Sequence, residues 1–152
     1  MLDEFISGLN DEQARAVETT EGPLLILAGA GSGKTKTLTH RIAYLIASRR
    51  AESENILAVT FTNKASRELR ERIAELLGGN ANNRDFMPYT GTFHSICVRI
   101  LRTDGDFVGV SPNFIIIDDS DKQSALKQLC KQLRIDEKEH PIRVISSIIS
   151  KA

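Results

Sequence analysis

Cysteine is scarce, net charge is nil and no apolar run is long, and each of these shortages removes a class of protein. Only Cys97 and Cys130 occur, far apart and outside any Cys-x-x-Cys or His-rich arrangement. Neither a disulfide framework nor a zinc site is signalled, and a reducing cytosol fits best. Lys and Arg total 20, as do Asp and Glu, so whole-chain charge does not argue for nucleic acid and any basic surface has to be local. The longest apolar runs, such as Leu24 to Ala28 and Phe114 to Ile117, are far too short to span a bilayer, and Met1-Leu2-Asp3-Glu4 lacks a basic signal-peptide start. A soluble cytoplasmic protein with no membrane partner is expected. What is present, 152 residues of which 41% are hydrophobic and 26% charged, is the composition of an ordinary globular domain.

Patterning gives the order of elements. Asn10 and Gln13 are spaced as a capping box opening a helix that runs to about Thr19. Leu24 to Ala28 is continuously apolar, as a strand buried on both faces of a parallel sheet would be. A helix from Gly33 carries Leu38, Ile42, Leu45 and Ile46 at helical spacing and ends at Arg49-Arg50, positive charge at the negative pole. Ile56 to Thr60 repeats the strand signature. Ala65, Leu69, Ile73 and Leu76 stripe the next helix, Glu68 and Arg72 stand at i,i+4 on another face, and Gly78-Gly79 close it. Asn80 to Pro88 reads as a polar loop, and Tyr89 to Phe93 as a short strand before a helix through Leu101. This alternation predicts an α/β fold, a parallel sheet with helices on both faces. Beyond Gly109 the composition changes. Phe114 to Ile117 is a last extended run, Ser120 and Gln123 are spaced as a capping box, and Leu126, Leu129, Cys130 and Leu133 form a helical stripe. Pro141 opens a further helix with Ile142, Ile145 and Ile149 on one side.

A bound phosphate needs converging N–H donors, a backbone that can approach closely, and positive charge. Residues 28–35, Ala28-Gly29-Ala30-Gly31-Ser32-Gly33-Lys34-Thr35, offer all three at a strand-to-helix junction. Gly29, Gly31 and Gly33 permit a tight, partly left-handed loop, Lys34 can reach the β- and γ-phosphates, and the Thr35 hydroxyl can bind Mg²⁺. Ala28 stands where the strict pattern has glycine, so the string matches a slackened form of it. The placement after a strand and at a helix start is the context the pattern needs.

The phosphate loop alone leaves kinases, GTPases and motor ATPases open. Asn10-Asp11-Glu12-Gln13-Ala14-Arg15-Ala16-Val17, the loop, Ala58-Val59-Thr60-Phe61-Thr62-Asn63-Lys64-Ala65 and Thr92-Phe93-His94-Ser95 follow in that order. Together they resemble the N-terminal part of the UvrD/Rep/PcrA helicases of superfamily I, over nearly the whole chain. The resemblance implies a partial P-loop, RecA-like domain over residues 1–110, and the start of an inserted helical subdomain over 111–152. It implies an ATP-dependent, 3′-to-5′ DNA helicase as the parent enzyme, with ATP and Mg²⁺ as cofactors. Single-stranded DNA, duplex junctions and the remainder of the helicase chain, including a second RecA-like domain, are the implied partners. By resemblance Gln13 contacts adenine, although an amide in a capping box needs no ligand. Lys36 stands where relatives usually carry an arginine that touches the nucleotide, and it lacks the flat guanidinium that stacks on a base. Phe61 implies a stacking surface for single-stranded DNA, against the plainer alternative of a core phenylalanine. Thr62 and Asn63 are DNA contacts by resemblance or helix caps by residue type. Thr92 and His94 resemble the next DNA-contacting motif, a lone histidine at a helix start being otherwise a hydrogen-bonded structural group. Arg67, Arg70 and Arg72 read as a solvated face offset by Glu68, Glu71 and Glu75.

Phe114-Ile115-Ile116-Ile117-Asp118-Asp119 has the form of a Walker B strand, an apolar run ending in acids that hold Mg²⁺ and position water. That would make the chain a self-contained small P-loop kinase or NTPase. A non-catalytic nucleotide- or DNA-binding module is a further alternative. The resemblance implies instead that the run begins the helical insert. On that reading Lys34 and Thr35 are the only catalytic groups carried here, and the chain by itself neither unwinds DNA nor sustains hydrolysis.

Overall fold

The structure is a computed structural model and describes residues 2–83 and 85–151; Arg84, within the expected Asn80 to Pro88 loop, lies outside them. Its contacts divide into two compact units, one ending at Asp104 and the other beginning at Gly105, upstream of the compositional change after Gly109.

In the first unit a 3-10 turn over Leu2–Phe5 precedes α1 (Asp11–Glu18), α2 (Lys34–Ala47), β1 (Ala58–Thr60), α3 (Asn63–Leu76), β2 (Thr90–Thr92) and α4 (Phe93–Asp104). The capping box forms at the head of α1: Gln13 N donates to Asn10 Oδ1 at 2.9 Å and Asn10 N to Gln13 Oε1 at 3.2 Å. At the other end of α3, Gly78 takes a φ of 64° and Gly79 N returns to Ala74 O at 2.7 Å, as a glycine C-terminal cap does. Glu68 and Arg72 form their i,i+4 pair on the exposed side of that helix.

β1 and β2 pair in parallel, Ala58 opposite Thr90 and Thr60 opposite Thr92. The core gathers Ile42 from α2, Ala58 from β1, Leu69 and Ile73 from α3, and Met87, with Ile46, Ile56, Leu77 and Phe86 packed against it. Burying side chains of this size contributes about 1.5–3 kcal/mol each.

Several expectations are corrected. Leu24 to Ala28 is in no ladder among the described residues, and Leu25 and Leu27 are 79% and 84% exposed. An apolar run becomes a strand only when a neighbouring strand pairs with its N–H and C=O groups, and no described strand pairs with this one. The run Ile56 to Thr60 contributes only Ala58–Thr60 to the sheet. On α2, Leu38 is 40% exposed, while Thr37, Thr39, His40, Ile42 and Ala43 are buried. The inner face is polar because it meets backbone: His40 Nδ1 donates to Phe5 O at 2.7 Å, and Arg41 reaches the carbonyls of Ala16 and Thr19. The polar loop before β2 is also not wholly a surface feature, since Met87, at a φ of 49°, is fully buried.

In the second unit a 3-10 turn over Gly105–Val108 precedes α5 (Asp119–Gln132) and α6 (Ile142–Ile149), which pack together. Pro141 stands immediately before α6. The capping box of α5 is Asp118 with Asp121, one that the Ser120 and Gln123 spacing had placed too far along. The carboxylate begins the helix earlier because it accepts from Asp121 N at 2.8 Å. Phe114 to Ile117 is in no strand, and Ile115 is 83% exposed. Cys130 and Ile142 are the buried residues of the two helices, while Leu133 and Ile149 of the expected stripes remain exposed. Among the described residues no helix is long and apolar enough to cross a membrane.

Candidate functional site

Residues 28–35 turn from the apolar run into α2 with Gly31 at a φ of 76° and Gly33 at 81°. The second of these glycines is required by its backbone, and its missing Cβ leaves room for the end of the Gln13 side chain. Its backbone is left-handed, and a Cβ there would meet Gln13 Nε2 at 2.7 Å. Gln13 is therefore more than a cap. Its Oε1 serves the α1 capping box while its Nε2 donates to Ser32 O at 3.0 Å, so one side chain ties the head of α1 to the loop. An amide carries two acceptor sites and two N–H groups, which leaves one of each uncommitted.

Lys34 bends back over the loop, its Nζ donating to Ala28 O at 2.9 Å and Gly29 O at 2.5 Å. Ser32 Oγ closes the same turn on Gly29 O at 2.7 Å. An incoming anion competes with two neutral carbonyls for the ammonium group, and an acceptor that carries charge is the stronger partner. Thr35 is exposed at the first turn of α2, and its hydroxyl has no hydrogen-bond partner among the described residues. Ala30 is exposed as well. Asn10, Gln13, Ala28, Ser32, Lys34 and Thr37 line a cleft of about 210 Å³ beside the loop. Lys36 points elsewhere: its Nζ donates to Gly8 O at 2.7 Å, tying α2 to the turn that precedes α1.

A second group of residues follows the sheet. Phe61 immediately succeeds β1 and is 104% exposed, outside the core that gathers around Ile73 in this chain. Thr62 is the N-cap of α3, its Oγ1 accepting from Ala65 N at 3.1 Å, and Asn63 is the first helical residue. Thr92 ends β2 and its Oγ1 accepts from Ser95 N at 3.3 Å, so it too caps a helix start. His94 is exposed, stands edge-on to Phe93 with ring centroids 6.4 Å apart, and has no hydrogen bond among the described residues. The parallel pairing sets Thr60 beside Thr92, so Phe61 and Phe93 leave the same end of the sheet. No group of three or more His, Cys, Asp or Glu side chains able to hold a metal occurs among the described residues.

Sequence reasoning missed Arg41, which anchors the end of α1 on α2, and the tether from Lys36 to Gly8. The signal for the first was an arginine beside Ile42 on the inward side of a helix, where charge is tolerated only when paired or hydrogen-bonded.

A family model described as the UvrD/REP helicase N-terminal domain matches residues 9–152. Among curated proteins, the chain is 49% identical over 149 residues to the ATP-dependent DNA helicase PcrA of Staphylococcus aureus strain Mu50, covering 98% of this chain and 20% of that protein. It is 50% identical to the PcrA of Bacillus subtilis strain 168 and 48% to that of Staphylococcus epidermidis, with the same shares covered. The chain thus spans about a fifth of the length of these relatives.

Proposed function

The chain belongs to the UvrD/REP helicase N-terminal domain family, and we propose that it is the ATP-holding part of a cytoplasmic, ATP-dependent 3′-to-5′ DNA helicase. Residues 1–110 form part of its first RecA-like domain and 111–152 begin a helical insert. The observation that carries this is the loop: two left-handed glycines at the head of α2, a lysine amine held only by carbonyls, and the Gln13 amide joined to the same turn. Backbone N–H groups at a helix N-terminus favour an anion, and Lys34 adds a full charge to them. Gln13 retains one donor and one acceptor, the pair that an adenine edge asks for. Thr35 fits as a protein ligand of Mg²⁺, an ion that keeps several waters and takes most other oxygens from phosphate. When bound, the ion neutralises charge on the β- and γ-phosphates.

On the DNA side, an exposed phenylalanine at the end of a strand suits stacking on any base, as a motor that passes every base requires. Thr62, Asn63, Thr92 and His94 flank that surface as contacts to the strand. The helix-capping bonds of Thr62 and Thr92 fix where those contacts point.

The alternative of a small kinase or NTPase using Asp118 and Asp119 is disfavoured by one observation. The Asp118 carboxylate is committed to capping α5. Strands, acids and arginines that lie beyond this segment in the longer protein complete the sheet and the hydrolytic site. The test is nucleotide binding and turnover by the full-length protein and by this chain. We expect Lys34→Ala to abolish turnover in the former, and this chain to show no sustained DNA-stimulated hydrolysis. Loss of Mg²⁺-dependent turnover by this chain on Asp118→Asn would establish the alternative.

A further inference from the structure

A second cleft, larger than the one beside the phosphate loop, lies apart from it. It is a polar cleft of about 550 Å³ on one side of α3, lined from that helix by Asn63, Ser66, Arg67 and Arg70 and from the far side by Asn82 and Thr90. Thr90 is only 9% exposed, and its hydroxyl is a buried polar atom with no hydrogen-bond partner among the described residues. Such groups are rare because each forfeits its hydration without compensation, and an unmet partner is the usual explanation. Arg70 donates through Nη2 to Met87 O at 3.4 Å and Thr90 O at 3.3 Å, long bonds that hold the side chain over the strand and leave its other N–H groups uncommitted. Arg67 has no hydrogen-bond or ion-pair partner among the described residues. Glu71 also lines the cleft, yet it pairs with neither arginine. Two guanidinium groups against one carboxylate leave a local positive excess in a chain of zero net charge.

We infer that this cleft holds an oxyanion, a backbone phosphate of the single strand that stacks on Phe61. Asn63 lines the cleft and is two residues from Phe61 in the chain, so the cleft begins close in sequence to the proposed stacking surface. Planar guanidinium groups match the paired oxygens of a phosphate, and contacts of this kind carry no base preference, which suits a strand read without regard to sequence. The inference rests on the proposed DNA surface but adds to it a charged contact outside the segments that mark the family resemblance.

Binding of a mixed-sequence single-stranded oligonucleotide to the full-length protein, followed by fluorescence anisotropy across a salt series, separates the two. Losing one phosphate contact flattens the plot of log affinity against log salt by about 0.7 for a single strand. Arg67→Gln is expected to do this and to weaken binding several-fold at low salt. Phe61→Ala is expected to weaken binding with the slope unchanged. Thr90→Val keeps the shape of the side chain and, removing no charge, is expected to weaken binding with the salt slope unchanged. An unchanged slope in Arg67→Gln while Phe61→Ala still weakens binding overturns the cleft and spares the stacking surface. No effect of either variant overturns both. Inorganic phosphate, followed by phosphorus line broadening at fixed ionic strength, tests the source of the anion. Broadening that depends on Arg67 in a protein whose oligonucleotide slope ignores Arg67 identifies a free-anion site and overturns the nucleic-acid assignment.

Discussion

Leu24 to Ala28 and Ile56 to Thr60 are largely apolar runs of the same length, each followed at once by a loop and a helix. The second supplies β1, paired with β2 and covered by α3, with Ala58 only 6% exposed. The first pairs with nothing among the described residues and leaves Leu25 and Leu27 in the open. Composition does not separate them; available neighbours do. β2 lies later in this chain and pairs with β1, whereas no described strand pairs with Leu24 to Ala28. The loop after the unpaired run is nevertheless well formed, because its geometry comes from Gly31, Gly33, Gln13 and α2 rather than from a ladder. A phosphate loop can thus be organised from its helix side while its strand side awaits a partner.

The sharpest way to break the comparison is through the packed side. Ile73 is fully buried against the β1 core. Ile73→Ala is expected to cost about 2–5 kcal/mol, read as a lowered urea midpoint with little change in slope. A loss below 1 kcal/mol would mean that the core around β1 is no better packed than the open run.

The loop comes next. Lys34→Ala removes a charge-assisted contact worth about 1.5–3 kcal/mol, so ATP affinity measured by calorimetry on the full-length protein should fall about tenfold or more. Gly33→Ala imposes a left-handed alanine at about 1–2 kcal/mol and drives a methyl into Gln13. Both the thermal midpoint and ATP affinity should drop, and the drop in thermal midpoint on Gly33→Ala should be smaller when Gln13 is already alanine, because only the backbone part remains. An equal drop in both backgrounds would mean that Gln13 does not constrain Gly33.

How much of this was legible follows from the range of each interaction. The α1 capping box, the Glu68 to Arg72 pair and the glycine end of α3 were readable because their partners lie within five residues. The phosphate loop was readable for the same reason. Met87 in the core, Arg41 on the end of α1 and Lys36 on Gly8 were not, since each depends on a segment folded back from a distance. Gln13 falls between the two. Its cap is local, but its bond to Ser32 spans 19 residues, and only the fold shows that one amide makes both. Phe61 was ambiguous from residue type alone, because a phenylalanine is as much at home in a core as on a stacking surface.

The smallest expected effect is the most informative about the unpaired run. Leu25 is 79% exposed, so Leu25→Ser in this chain alone should shift stability by no more than about 0.5 kcal/mol. In the full-length protein, where strands from beyond this segment are proposed to pair with Leu24 to Ala28, the same change buries a hydroxyl in place of an apolar side chain. It should then cost about 1–3 kcal/mol, measured as unfolding of the first domain. The difference between the two losses is the quantity to measure. A small loss in both contexts would leave the run exposed in the complete protein and remove the proposed sheet around it. A large loss already in the short chain would mean that the run is buried there, by self-association along its open edge, and gel filtration at two concentrations would show the larger species.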